Sequence, residues 1–390
     1  MLSSSEDQNL KVSIVMPCLN EILSLPHCIE NAKETLMILK DKYRLEGEII
    51  ISDNGSNDGS QQFAIENGCR LVHANIRGYG SAIITGCTEA LGDFILIGDA
   101  DGSYNFLDGI PMIEKLQSGF DICLGNRFKG EIKPGAMPWK NKYIGNPVLS
   151  TILKILYKTS IGDSHCGLRA ITLSAFRRLN LSTSGMEFAS EMVVKSSLLK
   201  LKETEVPINL HPDLRDRPPH LKPIRDGLRH LRFMFMLNPT WCFFLPSLLI
   251  LFPALLIFAS LLFTPYNQMA NIFGFSFGDH WLILSSSLIT VAYSGILLGL
   301  LSSKRNYQLG LYSNNTFYQN IISLTKANRI LVFGLLALII GFIVIGVLTK
   351  FYFAGELYIT VKYREMMLGT LLLGVGLKSI FWYFVFSLYE

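Results

Sequence analysis

The chain has 390 residues, 49% of them hydrophobic and only 17% charged, and a formal net charge of +4. It is too apolar for an ordinary soluble protein, and its charge gives no sign of a nucleic-acid partner. The apolar excess is not spread evenly: residues 1–235 read as a globular domain and residues 236–390 as a membrane domain.

In chain order, Met1–Lys11 is polar and lacks an apolar core, so no cleaved signal peptide is expected. Val12–Met16, Glu48–Ser52, Arg70–His73, Phe94–Gly98 and Asp121–Gly125 are short β-branched or apolar runs and predict strands. Ser24–Lys40 and Gly80–Leu91 have helical periodicity and predict crossover helices. The alternation predicts an α/β domain, Rossmann-like, with a mostly parallel sheet whose ligands bind at the carboxyl ends of the strands. Two stretches read as interfacial: Pro147–Tyr157 is apolar but too short to span a bilayer, and Ile224–Phe235 alternates basic and apolar residues at helical spacing.

Four apolar runs then follow, each close to the roughly 20 residues that cross a bilayer: 241–263, 281–301, 330–348 and 366–388. Arg225, Arg229 and Arg232 precede the first, its exit loop Thr264–His280 has no Lys or Arg, and the next loop carries Lys304, Arg305, Lys326 and Arg329. The positive-inside rule places the globular domain on the cytoplasmic side. Lys350, Lys362 and Arg364 in the last loop fit that orientation less well. The expected location is an integral-membrane one, such as a bacterial inner membrane. Lys378, inside the last run, is costly in lipid and is a functional candidate or a pairing residue. The seven cysteines show no C-x-x-C spacing and read as free thiols in a reducing compartment.

The most informative tripeptide is Asp99-Ala100-Asp101, directly after the fourth strand. Two carboxylates two residues apart at a strand end can both reach one hard divalent cation, which a departing diphosphate needs. The pattern also occurs in solvated turns. His165 and Cys166 are neighbours whose side chains point apart in an extended segment, so they read as structural.

The strand-end motifs VSIVMPCLNE (12–21), IISDNGSNDGS (50–60), RGYGSA (77–82), IGDADGSYNF (97–106) and LGNRFKG (124–130) occur in series, followed by DSHCGLRA (163–170), GMEFASE (185–191) and EVP (205–207). Together they resemble the inverting glycosyltransferases of family 2, of the polyprenyl-phosphate (dolichol-phosphate) hexosyltransferase type, over residues 11–235. The resemblance implies a GT-A fold, a UDP- or GDP-hexose donor, Mg²⁺ or Mn²⁺, and a lipid-phosphate acceptor such as undecaprenyl or dolichyl phosphate. It places Pro17, Leu19, Glu21, Ser52, Asp53, Asn54, Gly78, Asp99, Ala100, Asp101 and Arg127 around the nucleotide sugar. It implies Asp99, Asp101 and Ser103 as metal ligands, Asp99, Asp101 and Arg127 as catalytic, and Lys142, Arg169, Arg215 and Arg217 at the acceptor phosphate. The chain departs from the family pattern at Asn54, where many relatives have a second aspartate, and at Leu19, where an aromatic is common.

A lipid phosphate is already ionised and can attack without a general base, whereas a hydroxyl acceptor needs one. Three readings therefore stand at this point. The first is transfer of hexose to polyprenyl phosphate on the cytoplasmic leaflet. The second uses a glycerolipid or other hydroxyl, with Glu187, Glu191 or Asp163 as base. The third is a non-catalytic lipid-translocating or scaffolding protein. The oligomeric state, a homo-oligomer included, is open.

Overall fold

The short apolar runs do form strands, and the computed structural model describes residues 10–216, 223–266, 268–311, 326–355 and 362–388. The chain divides into two units, Met1–Met234 and Phe235–Glu390. Arg217, expected at the acceptor phosphate, lies outside the described residues.

In the first unit the elements run β1 (Lys11–Cys18), α1 (Leu25–Tyr43), β2 (Glu46–Asp53), α2 (Ser60–Glu66), β3 (Arg70–His73), α3 (Tyr79–Thr88), β4 (Phe94–Ile97), α4 (Ile110–Gln117), β5 (Ile122–Asn126), α5 (Asn146–Tyr157), β6 (Arg169–Thr172), α6 (Leu173–Leu179), α7 (Phe188–Leu198), β7 (Glu203–Pro207) and α8 (Pro223–Met236). The sheet order is β3-β2-β1-β4-β6-β5-β7. All pairings are parallel except those of β6, which runs antiparallel to both β4 and β5. Ile14, Val15 and Met16 on β1 and Ile95, Leu96 and Ile97 on β4 are completely buried, as both faces of a parallel sheet must be when helices cover them.

The sequence reading contained neither β6 nor β7. β6 is four residues long and opens on Arg169; β7 carries Glu203 and Glu205, so neither reads as an apolar run. The insertion of β6 beside β4 matters for the site, because it brings the preceding loop, residues 163–168, under the end of β4.

The expected interfacial segments are helical. On α5, Ser150 and Leu153 are buried while Val148 and Ile155 are exposed, following the exposed Trp139, Tyr143 and Ile144. On α8, Asp226, His230 and Met234 are buried, whereas Arg225, Leu228, Arg229 and Arg232 face outward.

In the second unit, α9 (Leu245–Phe263), α10 (His280–Gln308), α11 (Ala327–Phe353) and α12 (Tyr363–Ser387) follow. Among the described residues, four helices, over Thr240–Phe263, His280–Gln308, Ala327–Phe353 and Tyr363–Ser387, are long and apolar enough to cross a membrane. A short antiparallel hairpin, β8 (Ala270–Ile272) with β9 (Phe275–Phe277), joins the first two. Helices α11 and α12 touch backbone to backbone: a Cβ on Gly376 would stand 2.8 Å from the Gly334 carbonyl, and one on Gly341 would stand 3.0 Å from that of Gly369. Small residues at such crossings let two helices pack without a hydrophobic drive between them. Lys378 does not face lipid alone: its Nζ donates to the Thr290 carbonyl at 3.1 Å and to Ser294 Oγ at 3.3 Å, tying α12 to α10.

Candidate active site

The carboxyl ends of β1, β2, β4 and β5 carry the polar residues singled out above, and β4 presents the acidic pair. Asp99 Oδ1 accepts a 2.9 Å hydrogen bond from the Tyr79 hydroxyl at the start of α3. Its Oδ2 lies so close to Gly167 that a Cβ there would meet it at 2.4 Å, so only glycine fits beneath this carboxylate. Burial drives the Asp99 carboxyl above its usual range, an effect opposed by the Tyr79 hydrogen bond and the charges of Arg215, Arg169 and Arg127.

Asp101 is buried and is held differently. Its Oδ1 accepts from Ser103 N at 2.9 Å, and its Oδ2 accepts from Nη2 of Arg215. Arg215 Nη1 is also 3.6 Å from Oε1 of Glu21. This arginine sits on a strap, residues 211–216, pinned along the acidic turn by His211 N donating to Ser103 O at 3.0 Å and Leu214 N to Asp101 O at 2.9 Å. Ser103, expected as a metal ligand, enters these contacts through its backbone.

The acidic pair fits a divalent cation, because Asp101 already holds a positive group whose charge also acts on Asp99. Among the described residues no cluster of three or more His, Cys, Asp or Glu is arranged to hold a metal. A cation bound here would take its remaining ligands from water and diphosphate, which is how Mg²⁺ is ordinarily held in phosphate sites.

On the nucleotide side, Asp53 Oδ2 accepts from Gly55 N at 2.9 Å and from Gln61 Nε2 at 2.8 Å, which closes the loop after β2. Asn54 explains its own departure from the family pattern. Its amide nitrogen donates to the carbonyls of Ala74 and Ile76 at 3.3 and 2.9 Å, while its oxygen accepts from Gly78 N at 2.7 Å. An aspartate has no donor for the first two bonds. Ser52 Oγ donates to the Ala82 carbonyl at 2.6 Å, anchoring α3 to β2. Ser24 Oγ donates to the Ala100 carbonyl at 2.7 Å, and Glu21 N donates to Ser60 Oγ at 3.0 Å. Pro17 and Leu19 are half-buried at the end of β1. At Gly78, expected near the nucleotide, a Cβ would stand 2.1 Å from the Ser184 carbonyl, and φ is +142°. The glycine is required by the 183–185 loop packed against it.

Two arginines also differ from expectation. Arg127, expected as a fixed charge for the phosphates, forms a bidentate pair with Asp163 through Nε at 2.7 Å and Nη2 at 2.8 Å, with its own backbone N–H joining at 3.1 Å. Arg169, expected at the acceptor phosphate, is 2% exposed and donates to the carbonyls of Cys166 (2.7 Å), Ala189 (3.0 Å) and Ser164 (2.8 Å). A guanidinium whose three nitrogens all hold backbone carbonyls is a loop anchor, and it acts on Asp99 only through its charge. Lys142 is half-buried, 5.7 Å from the Tyr143 ring centroid.

The sequence reading missed Tyr79, which carries the hydrogen bond to Asp99, and Glu205, whose Oε1 accepts from Asp163 N at 2.9 Å and whose Oε2 accepts from Asn126 Nδ2 at 3.0 Å. Tyr79 lies inside the RGYGSA motif, so its aromatic between two glycines was the available signal. Glu205 opens the EVP motif, which marked the residue but not the partners it holds.

The model of the family described as glycosyl transferase family 2 matches residues 13–179. The chain is also 30% identical over 207 residues to an uncharacterized protein of Methanocaldococcus jannaschii, covering 51% of this chain and 80% of that one. The chain belongs to glycosyl transferase family 2. This family-2 chain is 35% identical over 248 residues to the low-salt glycan biosynthesis hexosyltransferase Agl6 of Haloferax volcanii, a match covering 63% of this chain and 58% of that protein. It is 25% identical over 234 residues to the dolichyl-phosphate beta-glucosyltransferase of Saccharomyces cerevisiae, covering 53% of this chain and 68% of that one. The mostly parallel sheet, with its acidic pair at the end of β4, is the GT-A catalytic fold of such transferases, followed here by the apolar helices.

Proposed function

We propose that the family-2 domain transfers a hexose from a nucleoside-diphosphate sugar to a polyprenyl phosphate, with inversion, at the cytoplasmic leaflet of the membrane that the four helices span. The observation that carries the choice of acceptor is the state of two of the three candidate bases. Asp163 is fully buried and clamped to Arg127. Glu191 accepts from the N–H and hydroxyl of both Ser182 and Thr183 and pairs with Lys195 at 2.7 Å. Although burial works the other way, these partners hold the Glu191 carboxyl below its usual range. A carboxylate so stabilised as the anion is a poor proton acceptor. An acceptor that arrives ionised needs neither group. The dolichyl-phosphate acceptor in the yeast relative's name is of this class.

In the reaction, a phosphate oxygen of the acceptor attacks the anomeric carbon from the face opposite the leaving group. The new C–O bond forms as the bond to the diphosphate breaks, and the electron pair leaves with the nucleoside diphosphate. Asp99 and Asp101 would hold Mg²⁺ or Mn²⁺, whose chemistry is neutralisation of charge on that leaving group. Tyr79 and Gly167 fix the Asp99 carboxylate from two sides. Arg215, which neutralises Asp101 here, occupies the carboxylate oxygen that such a cation would use. The exposed aromatic residues of 139–144 and the basic outer face of α8 suit the headgroup layer where the acceptor phosphate lies.

The test offers purified full-length protein a radiolabelled UDP- or GDP-hexose panel with Mn²⁺, and either polyprenyl phosphate or polyprenol. Label entering the organic phase with the phosphate alone supports the proposal. Equal transfer to the alcohol would favour a base-dependent reaction, in which Glu187, with one buried and unpartnered carboxylate oxygen, is the group to substitute.

A further inference from the structure

A chain of small polar side chains crosses the first unit without entering the acidic site, and the chemistry above makes no use of it. It begins on α5, where Ser150 Oγ lies 2.9 Å from Ser164 Oγ. Ser164 Oγ is 2.9 Å from Nδ1 of His165. The Nε2 of that ring is 3.4 Å from Ser190 Oγ on α7, and Ser190 Oγ is 2.8 Å from Nδ1 of His230 on α8. The two imidazoles also meet edge to face, with 4.6 Å between centroids.

The placement of this chain is unusual in two respects. The inward stripe of α8 is Asp226, His230 and Met234, where a helix docked by burial alone would carry aliphatic residues. Its seat is therefore set by directional bonds, which specify one position more sharply than apolar packing does. At the other end, His165 belongs to the loop that builds the floor under the acidic pair. In that loop Asp163 clamps Arg127, the carbonyls of Ser164 and Cys166 hold Arg169, and Gly167 lies against Asp99.

Burial pushes the His230 imidazole down to about 4, and burial with the neighbouring His230 and the charges of Arg169 and Arg127 holds His165 well below its ordinary range. Asp226, on α8 itself, pulls His230 the other way. Both rings are thus neutral near pH 7, each with one N–H, and the Ser190 hydroxyl between them can donate to one while accepting from the other. The tautomers along the chain are set together.

We propose that His165, Ser190 and His230 are positioning residues that hold the 163–167 floor, and through it Asp99 and Arg127, in register with the seat of α8. The idea rests on the transferase reading above. It links a helix whose outer face is basic and apolar to the wall behind the acidic pair through one continuous set of hydrogen bonds.

The experiment compares His230→Leu, His230→Asn and Ser190→Ala in the full-length protein, by transfer kinetics and by amide hydrogen exchange over residues 163–168. Asn keeps an acceptor where Nδ1 stands; Leu keeps the volume and removes it. His230→Leu and Ser190→Ala should each lower kcat about tenfold with KM for the nucleotide sugar within twofold, and should speed exchange in the loop. His230→Asn should restore both readouts to within about threefold, and the Leu/Ala double variant should be no worse than either single one. Additive losses, equal damage from Leu and Asn, or unchanged loop exchange in folded variants would overturn the proposal. If His230→Leu fails to fold, Ser190→Ala against Ser190→Thr decides the same question. Should the wild-type protein transfer no sugar to polyprenyl phosphate, the functional reading fails, while the exchange measurement still decides the positioning chain.

Discussion

Floor and strap both bring arginines to the acidic pair, but they hold them in opposite ways. On the floor, Arg127 and Arg169 are buried and bound to Asp163 and to three backbone carbonyls, partners that belong to the fold. On the strap, Arg215 contacts the carboxylates of Asp101 and Glu21, and for Asp101 a divalent cation would compete with it. The difference teaches that charge at this site has two duties. Floor charges maintain shape and oppose the burial that raises the Asp99 carboxyl. The strap charge neutralises Asp101.

The sharpest break of that contrast is at the shared centre. Asp101→Asn removes the group that both Arg215 and a metal would use, and transfer should fall by about 10³-fold, read as label in the organic phase. Next comes the floor. Asp163→Ala leaves Arg127 buried without its partner, and should destabilise the domain by about 3–5 kcal/mol, seen as a thermal midpoint lower by about 10 °C. Arg215→Ala should lower that midpoint by less than half as much, since Asp101 keeps the Ser103 N–H as a partner and lies nearer to solvent than Asp163. Equal destabilisation by the two changes would erase the distinction.

A third prediction concerns pH. His230 has a folded-state pKa of about 4, below its ordinary unfolded value, so the unfolded chain binds the extra proton between those limits. Its stabilising contribution is full above about pH 6.5 and is lost as pH falls toward 4, at about 1.4 kcal/mol per pH unit in that window. The thermal midpoint of His230→Asn should accordingly fall less steeply over that range than that of the wild type. The smallest effect is expected at Lys142, which lies half-buried beside Tyr143. Lys142→Ala should raise the KM for polyprenyl phosphate about threefold to fivefold with kcat unchanged.

Much of this arrangement was legible in the sequence, for a physical reason. β1, β2 and β4 each hold a short apolar run (Ile14–Met16, Ile49–Ile51 and Phe94–Ile97), so the residues ending them could be placed at one edge of the sheet, and Asp99, Asp101, Asp53 and Asn54 are there. The long apolar helices were equally plain. What the sequence hid was pairing across distance. Arg127 and Asp163 are separated by 36 residues, and Arg215 and Asp101 by 114. No local pattern says which arginine faces a carboxylate and which faces solvent. Arg169 was placed at the acceptor phosphate by the family resemblance; it is an anchor because β6, too short and too polar to read as a strand, carries it inside.

The central claim is that the acidic pair exchanges Arg215 for a divalent cation. Manganese binding to purified full-length protein, followed by electron paramagnetic resonance, tests it most directly. The account predicts one site, lost in Asp101→Asn and about tenfold tighter in Arg215→Ala, where the competing cation is gone. Undiminished manganese binding in Asp101→Asn, or unchanged affinity in Arg215→Ala, would contradict it.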